Sequence, residues 1–455
     1  MCGSIGLPLF LTTPARAEDT QPTRPDILFN RWQEDWSALA DPALRTGPFD
    51  ALKYIPIGSG SAYLSFGGGL RERLEANDSP DFGVIGGLGD TYVISRGELH
   101  ADVRAGPMQI FIQLQSDFAP GKKSKGPADA DRLDLEQGFV AMIEQVAGGT
   151  LKLRAGRQQF AFDLQRFLSV RDGPNVRQSF DALWADYEHG PLRFIAYYTR
   201  PVEVRDQHAF DDRSSPASTF SGLRVETHVL GTNELSAYWS LLDNRQSRFL
   251  TATGRERRDV WDVRFAGKKG ALDWDLEAMA QTGRVATQRI RAWAVGTRLG
   301  YTFATKLLPR LGLQVDAASG DRHPADGTLG TFNPLFPNGS YLTLAGYTGF
   351  VNLIHMKPSV TIHPMRRLTL MGAIAGQWRE TTGDAVYAQP NIPVPRTAGR
   401  GGHWTGAYGQ IRADWQISGS LSAAIEGVHF EVGQTIRSAG GHDSNYFGTE
   451  LKFSW

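Results

Sequence analysis

Five arginines lie within residues 151–177, in the sequence LKLRAGRQQFAFDLQRFLSVRDGPNVR. They are Arg154, Arg157, Arg166, Arg171 and Arg177. A guanidinium is always charged, and its fork of donors fits a carboxylate in two parallel hydrogen bonds. The first half of the stretch alternates like a strand, and the second half becomes a loop closed by residues 173–175. The cluster is therefore either a solvated strand end or an anion-binding element, and the rest of the chain must decide.

The composition excludes several classes of protein. The 455 residues carry 48 basic and 48 acidic side chains, so no overall field or basic block favours nucleic acid as a partner. Arginine outnumbers lysine by 38 to 10, which favours fixed contacts to carboxylates. There is no run of 18 apolar residues, which argues against a helical membrane protein. Cys2 is the only cysteine, so neither disulfides within the chain nor a cysteine metal site is expected.

The first 60 residues differ in texture from the rest of the chain. Residues 1–17 combine a short apolar run with a small-x-small site at 15–17, which predicts a signal peptide. This predicted signal peptide has no basic residues before its apolar run, so we expect it to be truncated. Residues 18–60 are predicted to be a periplasmic segment. Trp32, Trp36 and Leu39 have helical spacing there, which indicates either a short helix packed beneath a larger body or a plug inside a pore.

From residue 61 onward the hydrophobic period is two. In MQIFIQLQSDF, for example, Ile110, Ile112 and Leu114 alternate with glutamines and an aspartate. Eight short turns fall near residues 106, 148, 190, 232, 268, 306, 364 and 419. Nine longer polar connections fall at 77–89, 119–132, 161–179, 202–217, 245–257, 283–289, 319–346, 380–403 and 434–443. This alternation predicts an all-β fold for 61–455: a transmembrane up-and-down antiparallel β-barrel of about 18 strands, with short periplasmic turns and long extracellular loops.

The two faces of these strands indicate where the barrel lies. A barrel of this size is too wide for its wall side chains to fill, so the charged face must point into water and the apolar face into lipid. The strands are long enough to cross a bilayer when tilted. We therefore expect the chain in the outer membrane of a Gram-negative bacterium, with the membrane lipids as partners.

The motifs of common enzymes are missing from the sequence. It contains no G-x-S-x-G, no H-E-x-x-H, no phosphate loop and no dinucleotide fingerprint after a strand. We predict neither catalytic residues nor a metal or cofactor. Loop histidines such as His208 and His442 are expected to be simply solvated.

The polar residues that alternate with the outward-facing apolar ones are instead predicted to line the lumen, and many of them are arginines. The predicted pore-lining residues are Arg71, Arg73, Arg104, Arg154, Arg157, Arg171, Arg177, Arg224, Arg264, Arg298 and Arg412. Arg157 requires a bulge near Gly156 to face the lumen, and residues 166–177 are placed on a loop at the outer mouth. Because acids share this face, the arginines could be a ladder of ion pairs that stiffens the wall, or a lining that favours anions. The two interpretations are compatible, and the cluster in 151–177 favours an anion-binding constriction.

Several stretches together resemble the bacterial alginate-export family of outer-membrane proteins. They are RPDILFNRWQEDWS, AGRQQF, SVRDGPNVRQSFD, RPVE with a following FDD, GTFNPLFPNGSY and TIHP. The resemblance covers residue 24 to the end. It implies a monomeric 18-stranded barrel whose arginine-lined pore passes a polyuronate outward, and it carries the pore arginine of the G-R-Q element onto Arg157. The characterised exporter has an extended periplasmic turn where this chain has only residues 418–420.

The residues and the resemblance together predict a passive, anion-selective channel for an acidic polysaccharide or an organic acid. Periplasmic export machinery would be a further partner of an exporter. Two alternatives stay open: an uptake porin for small carboxylates, and a structural or adhesive barrel with a closed lumen. Loops 161–179 and 319–346 are expected to fold inward and narrow the pore.

Overall fold

Within residues 23–85 and 89–455, which the computed structural model describes, eighteen long strands form one closed antiparallel barrel. The predicted signal peptide, 1–17, lies outside the described residues. The strands are β1 (Tyr63–Asn77), β2 (Asp90–Ala105), β3 (Met108–Phe118), β4 (Asp131–Val146), β5 (Gly149–Gln158), β6 (Phe180–His189), β7 (Leu192–Glu203), β8 (Ser218–Leu230), β9 (Asn233–Arg248), β10 (Thr253–Lys269), β11 (Leu272–Val285), β12 (Gln288–Thr302), β13 (Arg310–Ala318), β14 (Leu353–Met365), β15 (Leu368–Trp378), β16 (Trp404–Gln416), β17 (Leu421–Val432) and β18 (Ser444–Ser454).

Each strand pairs with its sequence neighbours, and β1 pairs with β18 to close the barrel. Arg71 of β1 lies opposite Lys452 of β18, and Gly69 lies opposite Ser454. Closure leaves no free sheet edge among these strands, as a bilayer requires, because backbone groups in hydrocarbon must all be paired. The predicted fold class is therefore confirmed.

Alternating burial follows from the period of two. In β16 Ile411 is 68% exposed while its neighbour Gln410 is buried. In β2 Leu99 is 61% exposed and His100 is buried. The apolar side chains thus cover the outside of the barrel, and the polar ones face its interior, which is the arrangement that a lipid environment favours. No helix in the described part of the chain is long and apolar enough to cross a membrane.

The short turns lie where they were predicted, but two of the predicted long loops are short. The connection between β9 and β10 is residues 249–252, and that between β11 and β12 is residues 286–287. The strands instead include polar segments whose composition is typical of loops: RERRD at the start of β10 and QTGRV at the end of β11. Above the bilayer a strand needs no apolar outer face, so its sequence loses the signal that marked it as a strand.

Most of the other long connections contain short elements. The 3₁₀ helix Pro80–Gly83 lies between β1 and β2, and a short α-helix, Gln434–Ser438, lies between β17 and β18. Short extended pieces occur at Arg213–Ser214, Thr328–Leu329, Tyr387–Ala388 and Ile392–Pro393. Loops 159–179 and 319–352 carry buried aromatic residues that pack with inward-facing residues of the wall, such as Trp184 and Tyr238. The lumen is thus narrowed by loops, as predicted for these two.

The N-terminal segment, residues 23–62, precedes the barrel. It contains the 3₁₀ helices Arg31–Gln33, Ser37–Ala40 and Pro42–Leu44, helix α1 (Asp50–Lys53), and the short strand Ile55–Pro56, which pairs with residues 63–64 of β1. Trp36 and Leu39 are buried together with Tyr63 of β1. The helical spacing of the tryptophans therefore corresponds to short 3₁₀ turns packed on the barrel.

The assignment of the apolar outer face to lipid can be tested by placing an arginine at two different depths in the bilayer. Ile411→Arg, in the middle of β16, is expected to destabilise the barrel by about 2–4 kcal/mol, since arginine at the bilayer midplane is costly. Val229→Arg, one residue before the end of β8 at the periplasmic rim, is expected to cost only about 0–1 kcal/mol. Unfolding by urea in lipid vesicles measures both. Equal losses for the two variants would contradict the assignment.

Candidate functional site

The connection between β5 and β6, residues 159–179, crosses the lumen, and we call it the crossing loop. At one wall Arg166 is fully buried, and it donates to Asp275 of β11 at 2.7 Å and to Glu277 of the same strand. Arg224 of β8 donates to the two carboxylate oxygens of Asp163 at 2.7 and 2.8 Å. These charge-assisted pairs fix the first half of the crossing loop to β8 and β11.

The second half of the crossing loop is fixed to the other wall. Arg71 of β1 donates to the carbonyl oxygens of residues 172–174 at 3.0 to 3.2 Å. Arg96 of β2 donates to the carboxylate of Asp172 at 2.6 Å and to the carbonyl of Pro174 at 2.7 Å. Arg177 donates to Asp172 at 2.8 Å. The crossing loop is therefore a brace between β8–β11 and β1–β2, and residues 166–177 lie inside the barrel rather than at its outer mouth.

The Asp172 carboxylate shows how tightly this end is held. Burial by itself raises the pKa of Asp172, but Lys452, Arg177, Arg96 and Arg71 together hold it well below the usual range. The carboxylate is therefore charged at any physiological pH. Its ion pairs with Arg96 and Arg177 therefore persist throughout that range.

A second loop packs against the crossing loop. In residues 319–352, the Phe336 N–H donates to the carbonyl of Phe167 and the Ser169 N–H donates to the carbonyl of Phe336, both at 2.9 Å. Leu168 and Phe336 thus form a bridge of parallel strand type. Tyr341 accepts a hydrogen bond from Arg166 at 2.5 Å. The two loops form one body inside the barrel.

The N-terminal segment enters the same space from the periplasmic end. The Trp32 carbonyl accepts from Arg104 and Gln109 of the wall, each at 2.8 Å. The Trp32 ring lies 4.2 Å from the guanidinium carbon of Arg154. Further up, the Phe29 ring lies 4.8 Å from the guanidinium carbon of Arg177, next to the crossing loop. The segment therefore occupies part of the lumen.

Most of the predicted lining arginines are neutralised where they lie. Besides Arg157, seven of them have carboxylates within 4.0 Å: Arg71, Arg73, Arg104, Arg177, Arg224, Arg264 and Arg412. Arg73, for instance, contacts Glu75 at 2.7 Å and also Glu426. These residues face the lumen, but each positive charge has a negative partner. The ladder of ion pairs is thus present in the structure.

Arg157 lies elsewhere. Gly156 has φ 132° and lies so close to the carbonyl of Gly138 that a Cβ would fall 2.3 Å from that oxygen, yet the register shows no bulge there. Arg157 therefore has the parity of the outward-facing Ala155. It contacts Asp181 at 3.0 Å and the carbonyl of Asp212 at 3.4 Å, beneath loop 204–217. The bulge that was expected in β5 occurs in β4 instead, so the structure does not bring Arg157 to the lumen.

Three of the predicted arginines have no carboxylate within 4.0 Å in residues 23–85 and 89–455: Arg154, Arg171 and Arg298. Their neighbours are aromatic rings. Besides Trp32, Arg154 faces Trp184 of β6 at 5.4 Å. Arg171 lies 5.9 Å from Phe336, and Arg298 lies 4.8 Å from Tyr341. A π face stabilises a cation without cancelling its charge, so these three guanidiniums stay positive toward the lumen.

Two central residues were not among the predicted site. Arg96 shares the parity of Arg104 in β2, so the alternation alone could have found it. Arg166 had been placed at the outer mouth, because no local signal shows which wall residues an inward-folding loop contacts. Trp32 was identified only as part of a possible plug, not as a neighbour of Arg154.

A closed barrel with an apolar outer face and a lumen lined by charged residues defines an outer-membrane channel protein. The family model for alginate export matches residues 62–450. The chain therefore belongs to the alginate-export family, as its sequence motifs indicated. No curated protein matches the sequence.

Solved structures of similar fold come from Pseudomonas aeruginosa. OccD3 (OpdP) is similar with a TM-score of 0.59 and 12% identity, over 86% of this chain and 91% of that one. OpdO has a TM-score of 0.58 and 11% identity, over 86% and 97%. OpdK, solved with vanillate, has a TM-score of 0.57 and 12% identity, over 86% and 99%. At these identities the likeness shows the fold.

The brace makes a testable contribution to stability. Arg166→Met is expected to cost about 3–5 kcal/mol, because it leaves the buried Asp275 and Glu277 without this guanidinium. The matched control is Arg255→Met, which removes an exposed pair with Asp243 and should leave the free energy of unfolding nearly unchanged. Urea unfolding of the detergent-folded barrel compares them. Similar losses for both would contradict a buried brace.

The N-terminal segment contains a buried lysine at its junction with the barrel. Lys53 lies 4.9 Å from the Trp36 ring, 5.5 Å from the Trp455 ring and 4.0 Å from Glu34. Burial lowers the pKa of Lys53 from 10.5 to about 8, although Glu34 acts in the opposite direction. The other charges that act on it are Arg31, Arg24 and Asp50.

Docking of the segment should therefore strengthen as the pH rises from about 8 toward 10.5. In that range a displaced segment binds a proton at Lys53 that the docked segment does not, so docking is favoured by deprotonation. Below pH 8 both states are protonated, and this dependence is absent. The rate of proteolysis within residues 23–62, measured from pH 7 to 10, should fall, and Lys53→Met should abolish the fall. An unchanged pH dependence in that variant would contradict the assignment.

Proposed function

We propose that the barrel is a passive, anion-selective outer-membrane channel for an acidic saccharide or a small organic acid. The observation that carries the proposal is the set of Arg154, Arg171 and Arg298. These guanidiniums lie on the inner wall or on the crossing loop and are balanced by aromatic rings instead of carboxylates. Rings of unneutralised arginine favour anions in pores.

Selectivity on this proposal rests on few residues. The paired arginines form neutral units with their acids, so they contribute little net potential along the lumen. Arg154 and Arg298 differ because each adds a unit charge with no carboxylate within 4.0 Å among the described residues, in a space with limited solvent. Electrostatic interactions are stronger there than in bulk water.

The N-terminal segment serves as the plug of this channel. Its Trp32 covers Arg154, and its Phe29 reaches the crossing loop, so the segment lies over an arginine that would attract the permeating anion. Displacing the segment would expose Arg154 and widen the path at once. An exporter of the alginate-export type would present this segment to periplasmic machinery.

An uptake porin for small carboxylates is the second candidate. It is favoured by the amount of chain inside the barrel, since the crossing loop, loop 319–352 and the N-terminal segment all narrow the lumen. A narrow path suits a small solute better than a polymer. Swelling of liposomes that contain the channel separates a porin for small carboxylates from a channel for an acidic saccharide, because only the porin would admit small carboxylates quickly while the N-terminal segment is docked.

Planar-bilayer recording tests the proposal. We expect an anion-selective reversal potential in a KCl gradient, and Arg154→Ala combined with Arg298→Ala should shift it to non-selective. Trp32→Ala should raise the conductance several-fold while selectivity is kept. Arg255→Ala, which removes an exposed arginine at the outer rim, is the control and should change neither quantity. A cation-selective wild type, or an unchanged selectivity in the double variant, would refute the proposal.

A further inference from the structure

The FDD element at residues 210–212 takes no part in the proposed channel. It lies in loop 204–217, which joins β7 and β8. The Phe210 N–H donates to the carbonyl of Leu133 at 2.9 Å, and the Asp212 N–H donates to a carboxylate oxygen of Asp134 at 3.0 Å. Both acceptors are in β4, three strands away from β7. Loop 204–217 therefore spans the outer ends of β5 and β6 to reach β4.

Three carboxylates meet where this loop lands. Oxygens of Asp131, Asp134 and Asp212 all lie within 4.8 Å of one another. Asp131 and Asp134 converge because β4 has an extra residue here: Asp117 lies opposite Asp131, while Gln115 lies opposite Asp134. A bulge of this kind re-aims side chains that alternation would separate. The three acids are distant or irregularly spaced in sequence, so spacing alone does not predict the cluster.

Buried oxygens without donors surround the cluster. Asp131 is completely buried, and its Oδ1 has no hydrogen-bond partner among the described residues. Gln115, 3% exposed, donates its amide N–H to the other oxygen of Asp131 at 3.1 Å, and its own Oε1 is likewise without a partner in residues 23–85 and 89–455. A buried oxygen without a donor is costly, and a bound cation would stabilise both of these oxygens.

Protein cations do not balance this cluster. Arg157 is 3.6 Å from Asp134, but it forms its shorter contacts with Asp181, at 3.0 and 3.3 Å. The other triad of acids in the described chain differs in this respect. In that triad Arg224 and Arg264 pair with Asp163 and Arg166 pairs with Glu277, so three guanidiniums already lie among its acids, although the oxygens of the third member, Asp262, have no hydrogen-bond partner among the described residues.

We propose that Asp131, Asp134 and Asp212, with the Gln115 amide oxygen, bind one Ca²⁺ ion at the outer rim. Ca²⁺ takes six to eight oxygen ligands at about 2.3–2.6 Å in flexible geometry, and water would complete the set. Mg²⁺ fits less well, since it requires near-ideal octahedral geometry and smaller distances. The ion joins loop 204–217 to β4 and so closes the wall above β5 and β6. This role does not depend on which solute the channel carries.

The site is tested on full-length protein folded in detergent, freed of lipopolysaccharide and treated with EDTA. Calorimetric titration with CaCl₂ should show one site that MgCl₂ fills more weakly, and Ca²⁺ should raise the unfolding temperature. Asp212→Asn should weaken binding at least tenfold. Asp206→Asn is the matched control, because this acid of the same loop is exposed and pairs with Arg132 at 3.4 Å; it should bind Ca²⁺ like the wild type.

Asp131→Asn separates the proposal from simple protonation of the cluster. If Ca²⁺ is the ligand, this variant loses binding and becomes more stable than the EDTA-treated wild type, because one repulsive charge is gone. If Asp131 instead carries a proton, Ca²⁺ leaves the unfolding temperature of the wild type unchanged, and the proposal is overturned. Equal weakening of binding by Asp206→Asn and Asp212→Asn would also overturn it, since it would show only diffuse attraction. Heat-modifiable migration on SDS gels confirms that each variant is folded.

Discussion

A guanidinium that leaves bulk water must find partners, and this requirement organises the interior of the barrel. Eighteen strands enclose more space than wall side chains can fill. The crossing loop fills part of this space. Arg71 and Arg96 of one wall bind its second half, and Asp275 and Glu277 of the opposite wall bind its Arg166. Loop 319–352 then packs on this brace. A wide barrel thus acquires a narrowed interior without any contraction of its wall.

The same pairing limits what charge can do for transport. An arginine that shares its charge with a carboxylate contributes to the position of a loop more than to the potential of the lumen. Arg154 is different because its neighbours, Trp32 and Trp184, are rings that stabilise the cation and leave its charge intact. Trp32 both occupies part of the lumen and covers Arg154. The free width of the lumen and the exposure of this positive charge therefore depend on the same contact.

Features that follow from the local hydrophobic period can be predicted from the sequence, whereas contacts between residues far apart in the sequence cannot. The alternation around Ile411, the short turns and the closure of the barrel follow from a period of two and from the demands of lipid. Even the inward folding of two loops was predictable from their length and composition. The outward position of Arg157 also follows from this alternation, because β5 is regular at Gly156; the bulge that was expected there occurs in β4. Arg166 was misplaced because its partners on β11 are more than 100 positions away.

The position of Arg157 and the acidic cluster have one origin. Strands β5 and β6 have ten residues each, and their connection turns inward to form the brace. A loop that enters the lumen cannot also cover the outer ends of its own strands. Loop 204–217 covers them instead, and Arg157, facing outward beneath it, contacts Asp181 and the Asp212 carbonyl. Because the covering loop brings an acid to two acids of β4, the wall above the brace needs a further positive charge, and bound Ca²⁺ supplies it.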